Sequence, residues 1–167
     1  DLAPHVAIAF KRLFPKVPNN DVVLKLTDSD ETRADLEWFM LRYPLSHRYK
    51  NALAEGAARM KQRDTLRSSI LMPSWSPGDV QGYKPGKSAY LYQTQAAEIA
   101  VNLGALLLGD EVGLGKTNSA IDALLRGAPL PAAIVVQPHL ANQWAKRIRD
   151  FTFLRVHVVQ KTTPYDL

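Results

Sequence analysis

A glycine-rich segment that ends in lysine and threonine is the part of the chain whose residue types most directly indicate chemistry. It reads Gly-Asp-Glu-Val-Gly-Leu-Gly-Lys-Thr over residues 109–117. Gly113 and Gly115 allow the backbone to curl so that successive N–H groups face an anion. Lys116 would place its charge on the β- and γ-phosphates of a nucleotide, and Thr117 would offer its hydroxyl to magnesium. The segment therefore predicts a phosphate loop that binds ATP and magnesium, with Lys116 and Thr117 as its catalytic residues.

The strict form of this motif has glycine six residues before the lysine, where this chain has Asp110. A glycine-rich turn beside a chance lysine is the alternative interpretation of Gly-Lys-Thr alone. The flanking pattern favours the phosphate loop, because an apolar, strand-like segment precedes it and an amphipathic helix is predicted to follow. The residues expected to contact the nucleotide are Asp110, Glu111, Val112, Gly113, Leu114, Gly115, Lys116 and Thr117.

Helices and apolar segments alternate around the loop, and they are the elements that must position it. The predicted helices cover 93–103, 116–126 and 140–150, and the predicted strands cover 105–108, 132–136 and 154–159. Continuous apolar strands separated by helices indicate a parallel sheet that is covered on both faces. We therefore predict an α/β phosphate-loop lobe over residues 89–167.

The chain before this lobe is predicted to form a small α/β accessory region over residues 1–72. Loose alternation of apolar residues near the start indicates a short strand within 6–17, and a β-branched run indicates a second strand over 22–26. Residues 73–88 are rich in proline and glycine without periodicity, so we predict a linker there.

Two helices are predicted within the accessory region. The first begins at Asp28, which forms a capping-box-like pair with Glu31, and it ends at Pro44. Its apolar face consists of Leu36, Phe39, Met40 and Tyr43. The second helix covers about 47–67 and carries many arginines and lysines. A solvated basic face is the favoured interpretation, and a phosphate-contacting helix is the alternative.

Composition limits the class of protein. The chain has 167 residues and no cysteine, and its 46% hydrophobic residues can form a sizeable core. Its net charge of +5 is compatible with a polyanionic partner. No apolar run approaches the roughly 20 residues needed to span a bilayer, and no signal-like pattern begins the chain. We expect an intracellular protein, in the cytoplasm or nucleus, without a membrane partner. The histidines are scattered, so no histidine metal site is expected.

The segment 110–117, Asp-Glu-Val-Gly-Leu-Gly-Lys-Thr, resembles the first motif of superfamily 2 helicases of the chromatin-remodeller (Swi/Snf-type) ATPase family, which has methionine at the position of Val112. Tyr92-Gln93 resembles the family's Tyr-Gln motif and lies 23 residues before Lys116. Ile-Val-Val-Gln-Pro over 134–138, with the following leucine, glutamine and tryptophan, resembles its next motif. Residues 35–45 resemble a leader segment of some phage or mobile-element members. The resemblance covers residues 90–160.

The resemblance implies roles for residues outside the loop. Gln93 would recognise adenine, since an amide offers a donor beside an acceptor. An ordinary polar helix start is the alternative, with Gln95 as a competitor. The residues implied as contacts to the nucleic-acid backbone are Gln137, His139 and Gln143.

The resemblance also implies a function, namely a DNA-dependent ATPase motor that moves on duplex DNA. The chain would form the first, incomplete part of a RecA-like lobe, because no acidic magnesium motif follows Thr117. The parent protein would be an enzyme, whereas this chain alone is expected to hydrolyse ATP negligibly. Two alternatives remain: a phosphate-loop NTPase of another class, such as a nucleotide-dependent switch, or an interaction module in residues 1–85.

Overall fold

The computed structural model describes residues 3–17, 24–44 and 50–159. Within these ranges the chain forms six α-helices and one 3₁₀ turn. The elements are α1 (Pro4–Leu13), α2 (Asp30–Arg42), α3 (Lys50–Ile70), α4 (Leu91–Leu103), α5 (Lys116–Leu125), the 3₁₀ turn (Pro138–Leu140) and α6 (Ala141–Phe151). The chain divides into two compact units, Asp1–Ser68 and Ser69–Leu167, with the boundary in the last turn of α3.

The first element is a helix, so the prediction of a strand within 6–17 is wrong. Pro4 occupies the first turn, where the missing N–H and fixed φ of proline suit a helix start. The buried side chains are Phe10, Phe14 and Val17, which recur at helical spacing. The helical spacing of Phe10 and Phe14 therefore outweighs the strand-like alternation of Val6, Ile8 and Phe10.

Helix α2 confirms the predicted helix and its apolar face. Its N-cap is Ser29, whose hydroxyl accepts a hydrogen bond from the N–H of Thr32 at 3.2 Å, so the prediction that Asp28 begins the helix is wrong. Asp28 instead accepts two hydrogen bonds from Arg33, at 2.7 and 2.8 Å. This guanidinium holds the pKa of Asp28 below its usual range. A short hydroxyl next to the first helical residue is the better cap, because it reaches the free amides directly.

Aromatic rings join α1 to α2 and form the core of the first unit. The ring centroids of Phe10 and Phe39 lie 5.4 Å apart in an edge-to-face arrangement, and those of Phe10 and Phe14 lie 4.8 Å apart. Phe39 also contacts Tyr43, at 4.9 Å between ring centroids. Such pairs add to the burial of apolar area that holds a small core together.

The three arginines of α3 lie in ion pairs. Arg59 donates to both carboxylate oxygens of Asp30, with a shortest distance of 2.7 Å. Arg63 approaches Glu31 at 4.0 Å, and Arg67 pairs with Asp64 on the same helix at 3.0 Å. These contacts support the interpretation of a solvated, charge-paired face. Residues 47–49, at the predicted start of this helix, lie outside the described residues.

The predicted fold class, an α/β lobe with an incomplete parallel sheet and an α/β accessory region, is contradicted: no strand occurs in the described ranges, and the regular structure there is helical. Segments 105–108, 132–136 and 154–159 carry no regular structure, and Leu107 and Val135 are about 95% exposed or more. A strand is stabilised by its neighbours, so an apolar, β-branched run specifies strand propensity but no pairing partner. Of the strand predicted over 22–26, residues 22 and 23 lie outside the described residues, and 24–26 are irregular.

Helices α4 and α5 pack against each other and carry the core of the second unit, including Ala97, Ile99 and Ile121. Both helices were predicted, with ends within two residues of those observed. Helix α6 was also predicted, and a single 3₁₀ turn precedes it.

The proline- and glycine-rich segment predicted as a linker makes specific contacts within the second unit. The Tyr83 hydroxyl donates to Asp122 at 2.8 Å, and Asp122 also accepts from Arg126 at 2.7 Å. Arg126 in turn donates to the carbonyl of Gly78 at 3.2 Å. Burial of the phenol, together with its hydrogen bond to the carboxylate, raises the pKa of Tyr83 well above its ordinary value.

The same segment holds α6 through its backbone. The N–H of Lys84 donates to the carbonyl of Phe151 at 2.8 Å, and the N–H of Phe153 donates to the carbonyl of Gly82 at 2.9 Å. Tyr83 and Thr152 form an isolated antiparallel bridge between these two bonds. In the described part of the chain, no helix has both the length and the apolar character needed to cross a membrane.

Adjacent residues on α2 provide a test of the first unit's core. Phe39 is 3% exposed and Trp38 is 66% exposed. We expect Phe39→Ala to lower the free energy of unfolding by about 3–5 kcal/mol, because it removes the ring that joins α1 to α2. Trp38→Ala is the matched control and should have little effect. Urea unfolding followed by circular dichroism measures both; equal losses in the two variants would contradict this core.

Candidate phosphate-binding site

The loop between Leu108 and α5 has the backbone conformation that the glycine pattern predicts. Gly113 and Gly115 have φ values of +95° and +75°, in the left-handed region that glycine adopts without strain. The only backbone–backbone hydrogen bond inside the turn that the described residues show is a long one, from the N–H of Leu114 to the carbonyl of Glu111 at 3.4 Å. Helix α5 begins immediately after Gly115, so the loop ends at a helix N-terminus.

The Lys116 ammonium group lies against the first half of the loop. Its Nζ donates to the carbonyl of Asp110 at 2.7 Å and to the carbonyl of Glu111 at 2.9 Å. An ammonium group has three donors, so one remains for a further acceptor. The loop thereby places a positive charge at its centre and orients it, whereas a lysine on a free turn would extend into water.

Several donors around this charge have no protein acceptor in the described part of the chain. They include the backbone N–H groups of Gly115, Lys116 and Thr117 and the hydroxyl of Thr117. The first amides of any helix lack intrahelical acceptors, and their alignment favours an anion there. The donor set therefore fits a phosphate group, and the Thr117 hydroxyl fits a ligand of a magnesium ion carried by the nucleotide.

Gln93 lies directly behind the loop. Its amide nitrogen donates to the carbonyl of Leu114 at 3.0 Å, and the Tyr92 hydroxyl donates to the same carbonyl at 2.9 Å. The amide oxygen of Gln93 accepts from the N–H of Tyr90 at 3.1 Å, which caps α4. The side chain is 1% exposed. The structure thus brings Gln93 to the loop and engages both ends of its amide with protein groups.

Gly115 has no room for a side chain. A Cβ atom built at this position would lie 2.6 Å from the amide nitrogen of Gln93, and φ is already positive. The amide is buried and hydrogen bonded, so it can move only by giving up its contacts. Gly113 shares the positive φ, but a Cβ there would meet nothing within 4 Å.

An exposed aromatic pair lies beside the loop. The rings of Tyr90 and Tyr92 are stacked, with centroids 6.0 Å apart and planes at 10°. Tyr90 is 69% exposed and Tyr92 is 43% exposed. The Tyr92 hydroxyl reaches the loop, as described above. Its position in the Tyr-Gln motif is a sequence signal that could have assigned it this contact.

The residues implied as nucleic-acid contacts lie together along the chain, at the start of α6. Gln137 is the N-cap of the 3₁₀ turn, His139 lies within that turn, and Gln143 lies in the first turn of α6. All three are exposed. This exposed polar group is available to a partner, although nothing in its geometry distinguishes nucleic acid from other polar ligands.

Sequence reasoning missed the contact that joins α6 to the loop helix. Arg147 stacks on Phe151, with its guanidinium carbon 3.7 Å from the ring centroid, and donates to the side-chain oxygen of Asn118 at 3.0 Å. Asn118 is buried in the first turn of α5. Neither residue belongs to a motif, so only the helix packing reveals the pair.

The two acidic residues after Thr117 that the structure describes have basic partners elsewhere in the second unit. Asp122 is fully buried between Tyr83 and Arg126, and Asp150 is exposed and accepts from Lys146 at 2.7 Å. The third, Asp166, lies outside the described residues. Across 3–17, 24–44 and 50–159, no three histidine, aspartate or glutamate side chains group as metal ligands.

Comparison with known proteins adds no relative: no family model matches the chain, and no curated protein or solved structure is significantly similar to it. The functional argument therefore depends on the geometry of the loop and on the motifs quoted above.

Three glycines of the loop distinguish the effect of a positive φ from the effect of a side chain that would clash. Gly109→Ala should be tolerated, because its backbone is ordinary and its surroundings are open. Gly113→Ala should cost about 1–2 kcal/mol from the positive φ alone. Gly115→Ala should cost more, since it also displaces the amide of Gln93. Urea unfolding gives the order of the three free energies, and a Gly115→Ala variant as stable as Gly109→Ala would contradict this loop conformation.

Proposed function

We propose that the loop over residues 109–117 binds the phosphates of ATP. The observation that carries the proposal is the Lys116 ammonium, which two loop carbonyls hold at the N-terminus of α5 with one donor remaining. A fixed cation beside free, aligned amides is the arrangement that recognises a polyphosphate. A glycine-rich turn with a chance lysine does not explain why two loop carbonyls anchor the ammonium group.

Each residue of the loop has a role in this proposal. The Lys116 ammonium binds a terminal phosphate, and the amides of Gly115 and Thr117 donate to phosphate oxygens. Asp110 and Glu111 contribute the carbonyls that orient the lysine. Magnesium, when bound with the nucleotide, neutralises charge that develops on the phosphates, and Thr117 supplies its protein ligand.

We further propose that the chain is the ATP-binding part of a DNA-dependent motor of the Swi/Snf type, which acts inside the cell on duplex DNA. Two features support this over another phosphate-loop NTPase. The Tyr-Gln segment lies against the loop, with both residues bonded to Leu114. A third motif lies at the exposed start of α6 and presents Gln137, His139 and Gln143. The proposal depends on these motifs and on the loop, and a parallel sheet is no part of it.

Lys116→Ala tests the nucleotide site. Loss of a charged hydrogen bond to phosphate is worth about 1.5–3 kcal/mol, so we expect ATP binding to weaken at least tenfold with the fold unchanged. Lys61→Ala, which removes an equal charge from an exposed position on α3, is the control and should bind like the wild type. Isothermal titration calorimetry with magnesium and ATP measures both. Equal binding by the two variants would remove the phosphate-loop assignment.

A double variant, Gln137→Ala with Gln143→Ala, tests the proposed nucleic-acid contacts. We expect binding of a 20-base-pair duplex to weaken about three- to tenfold, because polar contacts to the backbone are lost. The dependence of affinity on salt should keep its slope, since no cation is removed. Gln62→Ala on α3 is the matched control. Fluorescence anisotropy provides the affinities. Absence of binding between the wild-type chain and duplex DNA would contradict this part of the proposal.

A further inference from the structure

The side chain of Gln93 is fully committed to the protein. Its amide nitrogen donates to the Leu114 carbonyl at 3.0 Å, and the Tyr92 hydroxyl, which is bonded to the same carbonyl, lies 3.2 Å from that nitrogen. Its oxygen accepts the N–H of Tyr90. An amide can read a base edge only if a donor and an acceptor are free side by side. Gln93 is 1% exposed and both ends of its amide contact protein groups, so it has little to offer adenine.

The Leu114 carbonyl receives two donors and is thereby fixed in direction. Gln93 and the Tyr92 hydroxyl both reach it from the side of α4. The peptide unit is planar and trans, so the carbonyl of Leu114 and the N–H of Gly115 point in opposite directions. Holding the carbonyl toward α4 therefore turns the Gly115 N–H away from α4, and this amide has no acceptor in the part of the chain that the structure describes.

We infer that Gln93 and Tyr92 are positioning residues for the phosphate loop: they hold the Leu114 carbonyl away from the anion and aim the Gly115 N–H at it. The inference rests on the proposed function, because it assigns how the loop is prepared for phosphate. It also sets the substrate class. The chain recognises the polyphosphate, and the base contributes little through Gln93, so ATP, GTP and inorganic tripolyphosphate all depend equally on this pair.

Two nearly isosteric variants test the inference in the full chain. Gln93→Glu keeps the oxygen that caps α4 but loses the donors to Leu114 and Tyr92. Tyr92→Phe deletes only the hydroxyl and adds no charge. Gln95→Glu is the matched control, because Gln95 lies on the same helix and donates to a different carbonyl, that of Ile70, at 2.8 Å. Calorimetry with tripolyphosphate, ATP and GTP at pH 7.5, together with thermal unfolding of each variant, provides the readout.

We expect Tyr92→Phe and Gln93→Glu each to weaken all three ligands by a common factor of about three to ten, while Gln95→Glu binds like the wild type. In the amide NMR spectrum of the wild type, the Gly115 resonance should move on addition of tripolyphosphate, and in Tyr92→Phe it should start from a different position. A protein that had merely lost stability would also bind all three ligands more weakly by one factor, so an unchanged midpoint of thermal unfolding and the specific displacement of Gly115 distinguish the positioning role.

Two results would overturn the inference while leaving the phosphate loop intact. One is a loss confined to ATP, with GTP and tripolyphosphate unaffected, since that would make Gln93 a reader of adenine. The other is wild-type binding of every ligand by both variants. A wild-type chain that binds none of the three ligands would instead overturn the proposed function, and the inference with it.

Discussion

The buried carboxylate of Asp122 is the interaction on which the second unit depends. A buried charge is costly unless it is paired, and here Arg126 and the Tyr83 hydroxyl supply the partners. Arg126 extends the network to the carbonyl of Gly78 and approaches Glu98 on α4 at 3.5 Å. One carboxylate thus joins two helices to the proline- and glycine-rich segment, whose backbone also holds α6. The position of α5, and so of the loop at its start, follows from that network.

The sequence predicted the helices well and the strands poorly, for a physical reason. Helices α2, α4, α5 and α6 are specified by local signals: apolar residues at helical spacing, a cap and terminating residues. The segments 105–108, 132–136 and 154–159 have the composition of strands, but strand pairing is not a local property, and these segments form no strand in the structure. The first helix was predicted wrongly for a different reason, because the alternation of Val6, Ile8 and Phe10 competes with the helical spacing of Phe10 and Phe14, and Pro4 favours a helix start.

In the candidate site, the sequence likewise predicted some features and not others. The residues of the loop could be predicted, because the spacing of Gly113, Gly115 and Lys116 is the spacing that a phosphate-binding turn requires. Their actual contacts could not, because they involve main-chain carbonyls that every residue possesses. Gln93 illustrates the consequence: its amide suits a base edge, but in the structure it serves the carbonyl of Leu114. Residue type limits the chemistry, and packing selects among the possibilities.

The oxygen of the Gln93 amide links the loop to a backbone amide at the start of α4. It accepts the N–H of Tyr90, which lies 24 residues before Leu114 in the chain. A hydrogen-bonded amide exchanges its hydrogen with deuterated solvent only when that bond opens. A motion that carries Gln93 itself away from Leu114 also strains the cap of α4, so such a motion should raise the exchange rate at Tyr90. Hydrogen exchange at the start of α4 would thereby report on the loop that precedes α5.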